Sequence, residues 1–358
     1  MVQQSRFSER YRLQHRASLA QSHRLMLAME LQDGRLSSLG LSKAIVNQER
    51  VACYSRFLGS VSNKNPVLVL IHGYPQSSYM WRHLIPLLPP TAPIFVPDLP
   101  GYGGSAAIVK NDKVSAGTTI LNALKTQVKS TLSSSSSGPI PVMLIGHDRG
   151  ARVAHHITMQ GMEGLDILAT CLIDIVPTST QWQHHSTPSK ASKEITGYFH
   201  WPLLANTDLA TRMITAFGPA NWCREMILRW AGSSPTGLAS LKADDALSVY
   251  CALFEQEGTL KASCEDYEHG ATTDVEREEE WQKKGMKLQV PLLLLYSAAF
   301  IGSRYEFPSV WRERVQEGVE IQSHGLGGGI GHFGAEEAPG ESAEVILGWL
   351  KGLGFSGV

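Results

Sequence analysis

The sequence of 358 residues lacks an excess of charge of either sign, since 32 basic and 33 acidic side chains give a formal net charge of −1. Proteins that bind nucleic acid through its phosphates need a basic surface, so this balance argues against such a partner. At 43% hydrophobic residues, the chain is also unlike disordered proteins, which combine low hydrophobicity with high net charge. No apolar run approaches the ~20 residues that cross a bilayer. We therefore expect a soluble protein that does not bind membranes.

Cysteine is scarce and shows no CxxC pair. The five cysteines are scattered along the chain: Cys53, Cys171, Cys223, Cys251 and Cys264. Disulfide frameworks and zinc sites need paired or closely spaced cysteines, so we expect free thiols and no metal site. Free thiols are typical of reducing compartments, and the sequence therefore predicts a cytoplasmic protein.

The amino terminus is strongly basic. The first 24 residues contain five arginines and a single acid, Glu9. This composition is typical of mitochondrial transit peptides. A solvated amphipathic helix added to the front of the domain is nevertheless the favoured interpretation.

Short apolar runs begin near residue 44 and predict β-strands. These runs cover residues 45–51, 53–58, 67–71, 94–96, 142–145, 168–175 and 292–296. Several lack the alternation of a half-exposed strand, which is typical of strands buried on both faces of a mostly parallel sheet. Helical stretches at 118–131 and 151–161 lie between the strands, so the predicted fold class is α/β.

The order of these patterns divides the chain into three parts. Residues 1–40 predict an N-terminal helical extension, and residues 41–178 and 285–358 together predict the α/β core. Residues 179–284 are rich in aromatics and helix formers and poor in strand patterns. We expect them to form a helical cap over the carboxyl ends of the strands, and we expect the serine tract at 133–137 to be a flexible loop.

A pentapeptide with the pattern of a nucleophile elbow stands between a predicted strand and a predicted helix, namely Gly146-His147-Asp148-Arg149-Gly150. The tight turn needs glycines because larger side chains would collide. Asp148 occupies the nucleophile position, although an aspartate that only caps the helix is the alternative. A carboxylate nucleophile displaces a leaving group from carbon and forms an ester that water must hydrolyse. Carbon–halogen bonds and epoxides suit this chemistry, whereas peptides and ordinary esters do not.

A second motif, His72-Gly73-Tyr74-Pro75, follows an earlier predicted strand. In enzymes with a nucleophile elbow, the loop at this place and the residue after the nucleophile each supply a backbone N–H to the oxyanion hole. We therefore expect Tyr74 and Arg149 to be the two donors.

The general base of such enzymes is a histidine near the carboxyl terminus, and its orienting acid precedes it in the chain. His332 is the best placed histidine, and His324 is its competitor. The loop after the predicted strand at 292–296 contains no carboxylate. Asp174, which closes the strand at 168–175, is therefore the expected acid, with an ordinary turn residue as the alternative.

Arg149 and Arg152 stand three residues apart at the start of the helix after Asp148, so both can face the same side. They are either salt-bridge partners or a clamp for an anionic group, because guanidinium groups match a carboxylate well. The two interpretations are equally supported by the sequence.

Seven segments together extend beyond the general pattern: His72-Gly73-Tyr74-Pro75-Gln76, Asp98-Leu99-Pro100-Gly101-Tyr102-Gly103, Gly146-His147-Asp148-Arg149-Gly150-Ala151-Arg152, Asp174-Ile175-Val176-Pro177-Thr178, Tyr198-Phe199-His200-Trp201, Cys264-Glu265-Asp266-Tyr267 and Gly331-His332-Phe333. In these segments the chain resembles the haloacetate dehalogenase family, which includes fluoroacetate dehalogenase and is related to the epoxide hydrolases. The likeness covers about residues 44–353. It implies an α/β-hydrolase fold, with a mostly parallel sheet flanked by helices and a helical cap inserted over the active site.

The resemblance also implies roles for individual residues. Asp148 resembles the nucleophile, and Asp174 and His332 resemble the acid and the base. Arg149 and Arg152 would hold a substrate carboxylate. The remaining matches are cap residues. His200, Trp201 and Tyr267 would surround the departing halide, and Trp230 would be a further pocket aromatic.

The expected activity is hydrolytic dehalogenation of short 2-haloalkanoic acids, such as haloacetate or fluoroacetate, to 2-hydroxy acids through an aspartyl ester. The substrate would be a small molecule, no cofactor or metal would be needed, and assembly as a homodimer is left open. An epoxide hydrolase is the nearest alternative. Those enzymes use a second cap tyrosine at the place that His200 takes here, and an aromatic or apolar residue is common in them where Arg149 stands. A catalytically silent member of the fold that binds a small ligand is the other alternative.

Overall fold

The computed structural model describes residues 2–131 and 138–355. The serine tract at 133–137, predicted as a flexible loop, lies outside the described residues. The described chain contains one sheet of eight strands: β1 Ser42–Val46, β2 Val51–Arg56, β3 Val67–Ile71, β4 Ile94–Pro97, β5 Ile140–His147, β6 Leu165–Ile173, β7 Leu292–Ser297 and β8 Ile321–Leu326. Their order is β1-β2-β4-β3-β5-β6-β7-β8. The pairs β1–β2 and β2–β4 are antiparallel, and the five other pairs are parallel.

Helices connect and flank the strands. In chain order they are α1 Val2–Ser38, α2 Lys113–Thr131, α3 Arg149–Gln160, α4 Thr178–Ser186, α5 Pro188–Gly197, α6 His200–Leu204, α7 Thr207–Phe217, α8 Pro219–Trp230, α9 Pro235–Lys242, α10 Ala246–Phe254, α11 Thr259–Ala271, α12 Thr273–Lys283, α13 Ser309–Arg312, α14 Gly334–Glu337 and α15 Pro339–Gly352. The predicted α/β class, a mostly parallel sheet flanked by helices, is confirmed. None of the helices in the described ranges combines the length and the apolar character needed to cross a membrane.

The central strands have the solid apolar sequences from which they were predicted. Every residue of β3 is buried, as are the last seven of β5. The predicted strand at 45–51 is wrong at its end, because the chain turns between β1 and β2. Asn47 and Arg50 take left-handed conformations there, with φ of 61° and 52°. Strand β8 was not predicted, since it lies at the sheet edge and five of its six residues are only partly buried or exposed.

The strand register brings distant segments to one edge of the sheet. Ile71 at the end of β3 pairs with Gly146 in β5, and His147 at the end of β5 pairs with Ile173 in β6. Ile173 in turn pairs with Leu295 of β7. Because these strands are parallel, the loops that follow them start side by side, which is where open α/β sheets place their ligands.

Helices α4 to α12 all lie between β6 and β7 along the chain, in the segment predicted to be helical. Four of them, α4, α6, α8 and α11, supply side chains to the cavity at the carboxyl ends of the strands. The segment thus covers the edge of the sheet at which the turns that follow β3, β5 and β6 meet.

The predicted N-terminal helix is present, but its carboxyl half is integrated into the core. Leu36 is fully buried, and Gln32 is 2% exposed. The Gln32 amide donates to the Tyr54 hydroxyl at 2.9 Å and to Asp98 Oδ2 at 3.1 Å, and its oxygen accepts from Ser77 at 2.5 Å. The helix is therefore packed against the loop that follows β3.

Candidate active site

Asp148 occupies the tight turn between β5 and α3. Its backbone lies in an unusual region, with φ of 47° and ψ of −116°. A Cβ atom on Gly146 would lie 2.6 Å from the Ala151 Cα atom, and one on Gly73 would lie 2.6 Å from the Asp148 Cβ atom. Glycine is therefore required at both positions, which is the physical reason for the motif.

The Asp148 carboxylate is buried and accepts a hydrogen bond at Oδ2 from the Tyr74 backbone N–H at 2.9 Å. Burial alone would raise the pKa of this carboxyl group. The charges of His332 and of the two arginines in α3 outweigh burial and lower the pKa below its ordinary value. The group is consequently ionised at neutral pH and can act as a nucleophile.

His332 and Asp174, the predicted base and acid, form a close pair beside Asp148. The Nδ1 atom of His332 lies 2.5 Å from Asp174 Oδ2. Asp174 Oδ1 accepts the Ser297 N–H at 2.8 Å. The last residue of β7 thus contributes a backbone donor that orients the acid that follows β6.

The backbone of His332 is held from two sides. Its N–H donates to the Trp230 carbonyl at 3.0 Å, and its carbonyl lies 2.8 Å from His147 Nε2. Burial opposes protonation of the His332 ring, but the hydrogen bond and charge of Asp174, followed by the charge of Asp148, raise its pKa above the ordinary value of 6.5. The ring is therefore a stronger base than a free imidazole.

His324, the competing candidate, does not reach this site. It lies on β8, and its Nε2 atom is 2.8 Å from Glu341 Oε1. Both side chains are more than a third exposed. The structure places His324 in an ordinary surface ion pair.

The loop before His332 is fixed by Glu337, whose part in the site the sequence did not reveal. Its carboxylate accepts N–H groups from Gly232 at 2.8 Å, from Gly331 at 2.9 Å and from Phe333 at 3.1 Å. Burial raises the pKa of this carboxyl group, against the effect of the three donors. Glu337 therefore ties the loop that contains His332 to the start of the segment after α8.

A small cavity opens beside Asp148. Its wall contains charged, polar and aromatic side chains: Asp148, Arg152, Asp174, Gln181, Tyr198, His200, Trp201, Trp230, Tyr267, Phe300, Ile301 and His332. Five of these are the helical-segment and α3 residues expected in the pocket. A small cavity with a few polar groups among aromatic side chains suits a small substrate.

The aromatic part of the wall is closely packed around His200. Its ring centroid lies 4.5 Å from that of Trp230 and 5.8 Å from that of Tyr267, and the ring of Trp201 lies 6.1 Å from that of Tyr267. Burial lowers the pKa of His200 to about 3. His200 is therefore neutral at neutral pH and carries one N–H donor.

The two arginines of α3 have different surroundings. Arg152 lies in the cavity wall, where Nη1 donates to the Val176 carbonyl and the Thr178 hydroxyl, both at 3.0 Å. Its Cζ atom lies 4.5 Å from the centroid of Trp201. Arg149 is instead bound by Asp266 and does not belong to the lining residues. The sequence left open whether the two arginines are salt-bridge partners or a clamp for an anion; Arg149 forms a salt bridge, and Arg152 lies in the cavity wall.

Four residues of the wall carried no predicted role, namely Gln181, Tyr198, Phe300 and Ile301. Tyr198 was part of a matching segment, and the two residues after β7 stand where parallel strands present their loops to a ligand. Gln181 donates to the Tyr305 hydroxyl at 3.1 Å. Its position on α4 left no signal in the sequence.

His155, His156 and Glu278 form a buried group with side chains of the metal-binding type. Glu278 already accepts the backbone N–H groups of Thr178 at 3.2 Å and Ser179 at 2.8 Å, and His156 Nε2 lies 3.0 Å from its Oε1 atom. These contacts satisfy the carboxylate and anchor the start of α4. The group fits a structural hydrogen-bond network better than a metal site.

The site has a carboxylate on a nucleophile elbow, and a backbone N–H donates to one oxygen of that carboxylate. A His–Asp pair lies beside it at the carboxyl ends of parallel strands. These features define a hydrolase of the nucleophile-elbow class. The chain belongs to the alpha/beta hydrolase family, whose sequence profile matches residues 68–343. The predicted α/β-hydrolase fold is thereby confirmed.

Individual relatives agree with this assignment. The chain is 25% identical to a fluoroacetate dehalogenase from Burkholderia sp over 293 residues, which cover 81% of this chain and 89% of that protein. It is 28% identical to a soluble epoxide hydrolase from Corynebacterium sp. over 277 residues, covering 76% and 85% of the two chains. The solved structure of the epoxide hydrolase CorEH superposes with a TM-score of 0.69 at 22% identity, over 87% of this chain and 99% of that one.

Proposed function

We propose that the protein hydrolyses short 2-haloalkanoic acids, such as haloacetate, to 2-hydroxy acids. The observation that carries the proposal is the Arg152 guanidinium in the wall of the cavity that also contains Asp148. An anionic nucleophile repels an anionic substrate, so a fixed cation beside it is needed when the substrate carries a carboxylate. The likeness to a protein named fluoroacetate dehalogenase supports the same substrate class.

In the first step, an oxygen of Asp148 attacks the α-carbon of the substrate. A carbon–oxygen bond forms, and the halide leaves with the electron pair of the carbon–halogen bond. Neutral His200, together with Trp201 and Tyr267, lines the side of the cavity to which the halide would depart. Their N–H and O–H groups would stabilise the charge that develops there, which lowers the barrier.

In the second step, His332 takes a proton from a water molecule, and the oxygen of this water attacks the carboxyl carbon of the Asp148 ester. Negative charge develops on Oδ2, where the Tyr74 N–H already donates. The intermediate then breaks the bond between the carboxyl carbon and the alkoxy oxygen, which takes the proton from His332. Asp174 holds Nδ1 of the ring, so Nε2 exchanges the proton. These steps use no cofactor or metal ion.

Epoxide hydrolysis is a second candidate, favoured by a pair of tyrosines. Tyr198 and Tyr267 both line the cavity, and the Tyr198 hydroxyl has no hydrogen-bond partner among the described residues. Two tyrosine hydroxyls could donate to the oxygen of an epoxide while Asp148 opens the ring. From the sequence, His200 was expected at the place of the second tyrosine, and no role was predicted for Tyr198.

The test is a parallel assay of the purified protein with fluoroacetate, chloroacetate and styrene oxide. We expect halide and glycolate from the haloacetates and no such release by the Asp148→Asn variant. Diol formation without halide release would replace the proposal with the epoxide alternative. Turnover of none of the three would favour the catalytically silent ligand-binding protein.

A further inference from the structure

Arg149, the residue after Asp148, is held by helix α11. Asp266 Oδ2 accepts a hydrogen bond from Arg149 Nε, and the Asp266 carbonyl accepts one from Nη2 at 2.8 Å. The guanidinium also lies over the ring of Tyr267, with Cζ 4.1 Å from the centroid. Its Nη1 atom is buried and has no hydrogen-bond partner within residues 2–131 and 138–355.

Gly270 completes this arrangement one turn further along α11. A Cβ atom at this position would lie 2.8 Å from Arg149 Nη2. Asp266, Tyr267 and Gly270 therefore provide, in turn, the charge, the ring surface and the space that the guanidinium needs. We call these three residues the Arg149 cradle.

The Asp266 carboxylate lies between two buried cations. Besides Arg149, it accepts a hydrogen bond from Lys113 Nζ in α2. Lys113 Nζ lies 3.5 Å from a second carboxylate, that of Asp274. Burial would raise the pKa of Asp266, but Arg149 and then Lys113 lower it below its ordinary value. The cradle thus presents a permanent negative charge to Arg149.

The negative charge of Asp148 also acts on Arg149 and contributes, after Asp266 and Tyr267, to raising the pKa of the guanidinium. Without another carboxylate, a guanidinium one residue from the nucleophile would pair with it, because oppositely charged groups attract strongly at low dielectric. Such a pair would occupy the oxygens that must attack the substrate. Asp266 satisfies two of the three guanidinium nitrogens instead.

We propose that Asp266 is a positioning residue that acts through Arg149, keeping Nη1 free for a substrate carboxylate and the guanidinium away from the Asp148 oxygens. The inference rests on the proposed function only in that the substrate is an anion. The carboxylate site would then be asymmetric, because Arg152 lies in the cavity wall, whereas Arg149 is not among the wall residues and would offer a single nitrogen, Nη1.

The test is calorimetric titration of the full-length protein with acetate, a carboxylate that cannot be dehalogenated. Asp266→Asn is expected to weaken acetate binding by about 10–100-fold, the range of a charge-assisted hydrogen bond. Asp112→Asn is the matched control, because Asp112 is also a buried carboxylate, bound to Arg277 at 2.9 Å, and its ion pairs do not include Arg149. Acetate affinity should not change in the control.

Two further variants separate positioning from loss of folding. Gly270→Ala keeps Asp266 but brings a methyl group against Nη2, so it should weaken acetate binding while the melting temperature stays close to that of the wild type. In an Arg149→Met background, Asp266→Asn should cause no further loss of affinity. A further loss there, or an unchanged affinity in Gly270→Ala, would overturn the proposal.

The outcomes also separate this proposal from the proposed function. If the wild type binds acetate in the expected Asp266-dependent way but releases no halide from haloacetates, the dehalogenase assignment fails and the role of Asp266 stands. If halide is released but Asp266→Asn binds acetate as tightly as Asp112→Asn does, the role of Asp266 fails and the dehalogenase assignment stands. A wild type that binds no acetate overturns the Asp266 proposal.

Discussion

The Asp148 carboxylate accepts, at Oδ2, the backbone N–H of Tyr74, a residue 74 positions earlier in the chain. This contact makes the two oxygens of the nucleophile different. Oδ2 is already in place to become the carbonyl oxygen of an ester, and its negative charge in the second step would develop at an existing donor. In the proposed mechanism, Oδ1 is then the oxygen that attacks.

This difference predicts the fate of oxygen in a single turnover. With enzyme in excess over chloroacetate in ¹⁸O-labelled water, the label should enter the Asp148 side chain, because the alkoxy oxygen of the product comes from Asp148. Mass spectrometry of the peptide containing Asp148 and of the glycolate measures both sites. Label in the first glycolate molecule would show that water attacks the substrate directly.

Replacing the base should separate the two chemical steps. His332→Gln removes the proton acceptor but leaves Asp148 in place, so we expect turnover to fall by about 10²–10⁴-fold while the alkyl ester accumulates on Asp148. The adduct is visible as a mass increase of its peptide. His324→Gln is the control, since His324 pairs with Glu341 on the surface, and it should turn over normally. An absence of adduct in His332→Gln, with halide still released, would exclude Asp148 as the nucleophile.

The pKa values of His332 and Asp148 predict different pH responses for the two steps. The base must be neutral to accept a proton, and the pKa of His332 is raised above 6.5, so ester hydrolysis should slow as the pH falls through this raised value. The pKa of Asp148 is lowered, so the nucleophile stays ionised and the initial burst of halide should not change over the same range. Rapid-quench measurement of the initial halide burst and of the steady-state rate over this pH range tests the prediction. A burst that falls in parallel with the steady state would contradict it.

Arg152 should contribute to affinity for carboxylates specifically. Arg152→Met removes the cation from the cavity wall, and we expect KM for chloroacetate to rise by about 10–100-fold, as for the loss of a hydrogen bond to a charged group. Chloroacetamide, which has no carboxylate, serves as the control substrate, and its kcat/KM should change much less. An equal loss for both substrates would mean that Arg152 acts only by packing against Trp201.

The close packing of the elbow predicts a stability effect. Gly146→Ala places a methyl group 2.6 Å from the Ala151 Cα atom, and overpacking of this kind typically costs about 1–3 kcal/mol. Gly348→Ala in α15 is the control, because its Cβ atom would have nothing within 4 Å, and alanine is the better helix former. Urea unfolding should show a lower midpoint for the first variant and an equal or higher midpoint for the second. Equal midpoints for both would contradict the steric account of the motif.

The sequence predicted those parts of the fold that local chemistry determines. Strand β3 was located with its correct bounds because all its residues are apolar and buried. Strand β8 was missed, since its sequence contains Gln322, Ser323 and His324 and its place at the edge depends on pairing with β7. Such an edge strand obtains its conformation from its neighbour, and its own pattern carries little information.

The same distinction applies to the site. Asp148, Asp174 and His332 were located because each stands at a fixed place relative to a strand. Asp266 and Glu337 were not assigned their contacts, because each acts on a partner far along the chain, 117 residues away for the bond between Asp266 and Arg149. Their charges looked like those of any helix surface, and only burial in the folded chain distinguishes them.

Gln32 links the N-terminal helix, through its hydrogen bonds, to Ser77 after β3 and to Asp98 after β4. The family profile begins at residue 68, so the helix that contains Gln32 lies outside the shared region. Yet Gln32 supports Asp98, which also accepts the backbone N–H groups of Ser78 and Gly104. A relative without this helix must satisfy the same aspartate in another way, with water or a different side chain. The surroundings of the loop after β3, which contains Tyr74, should therefore differ among relatives that keep an identical nucleophile elbow.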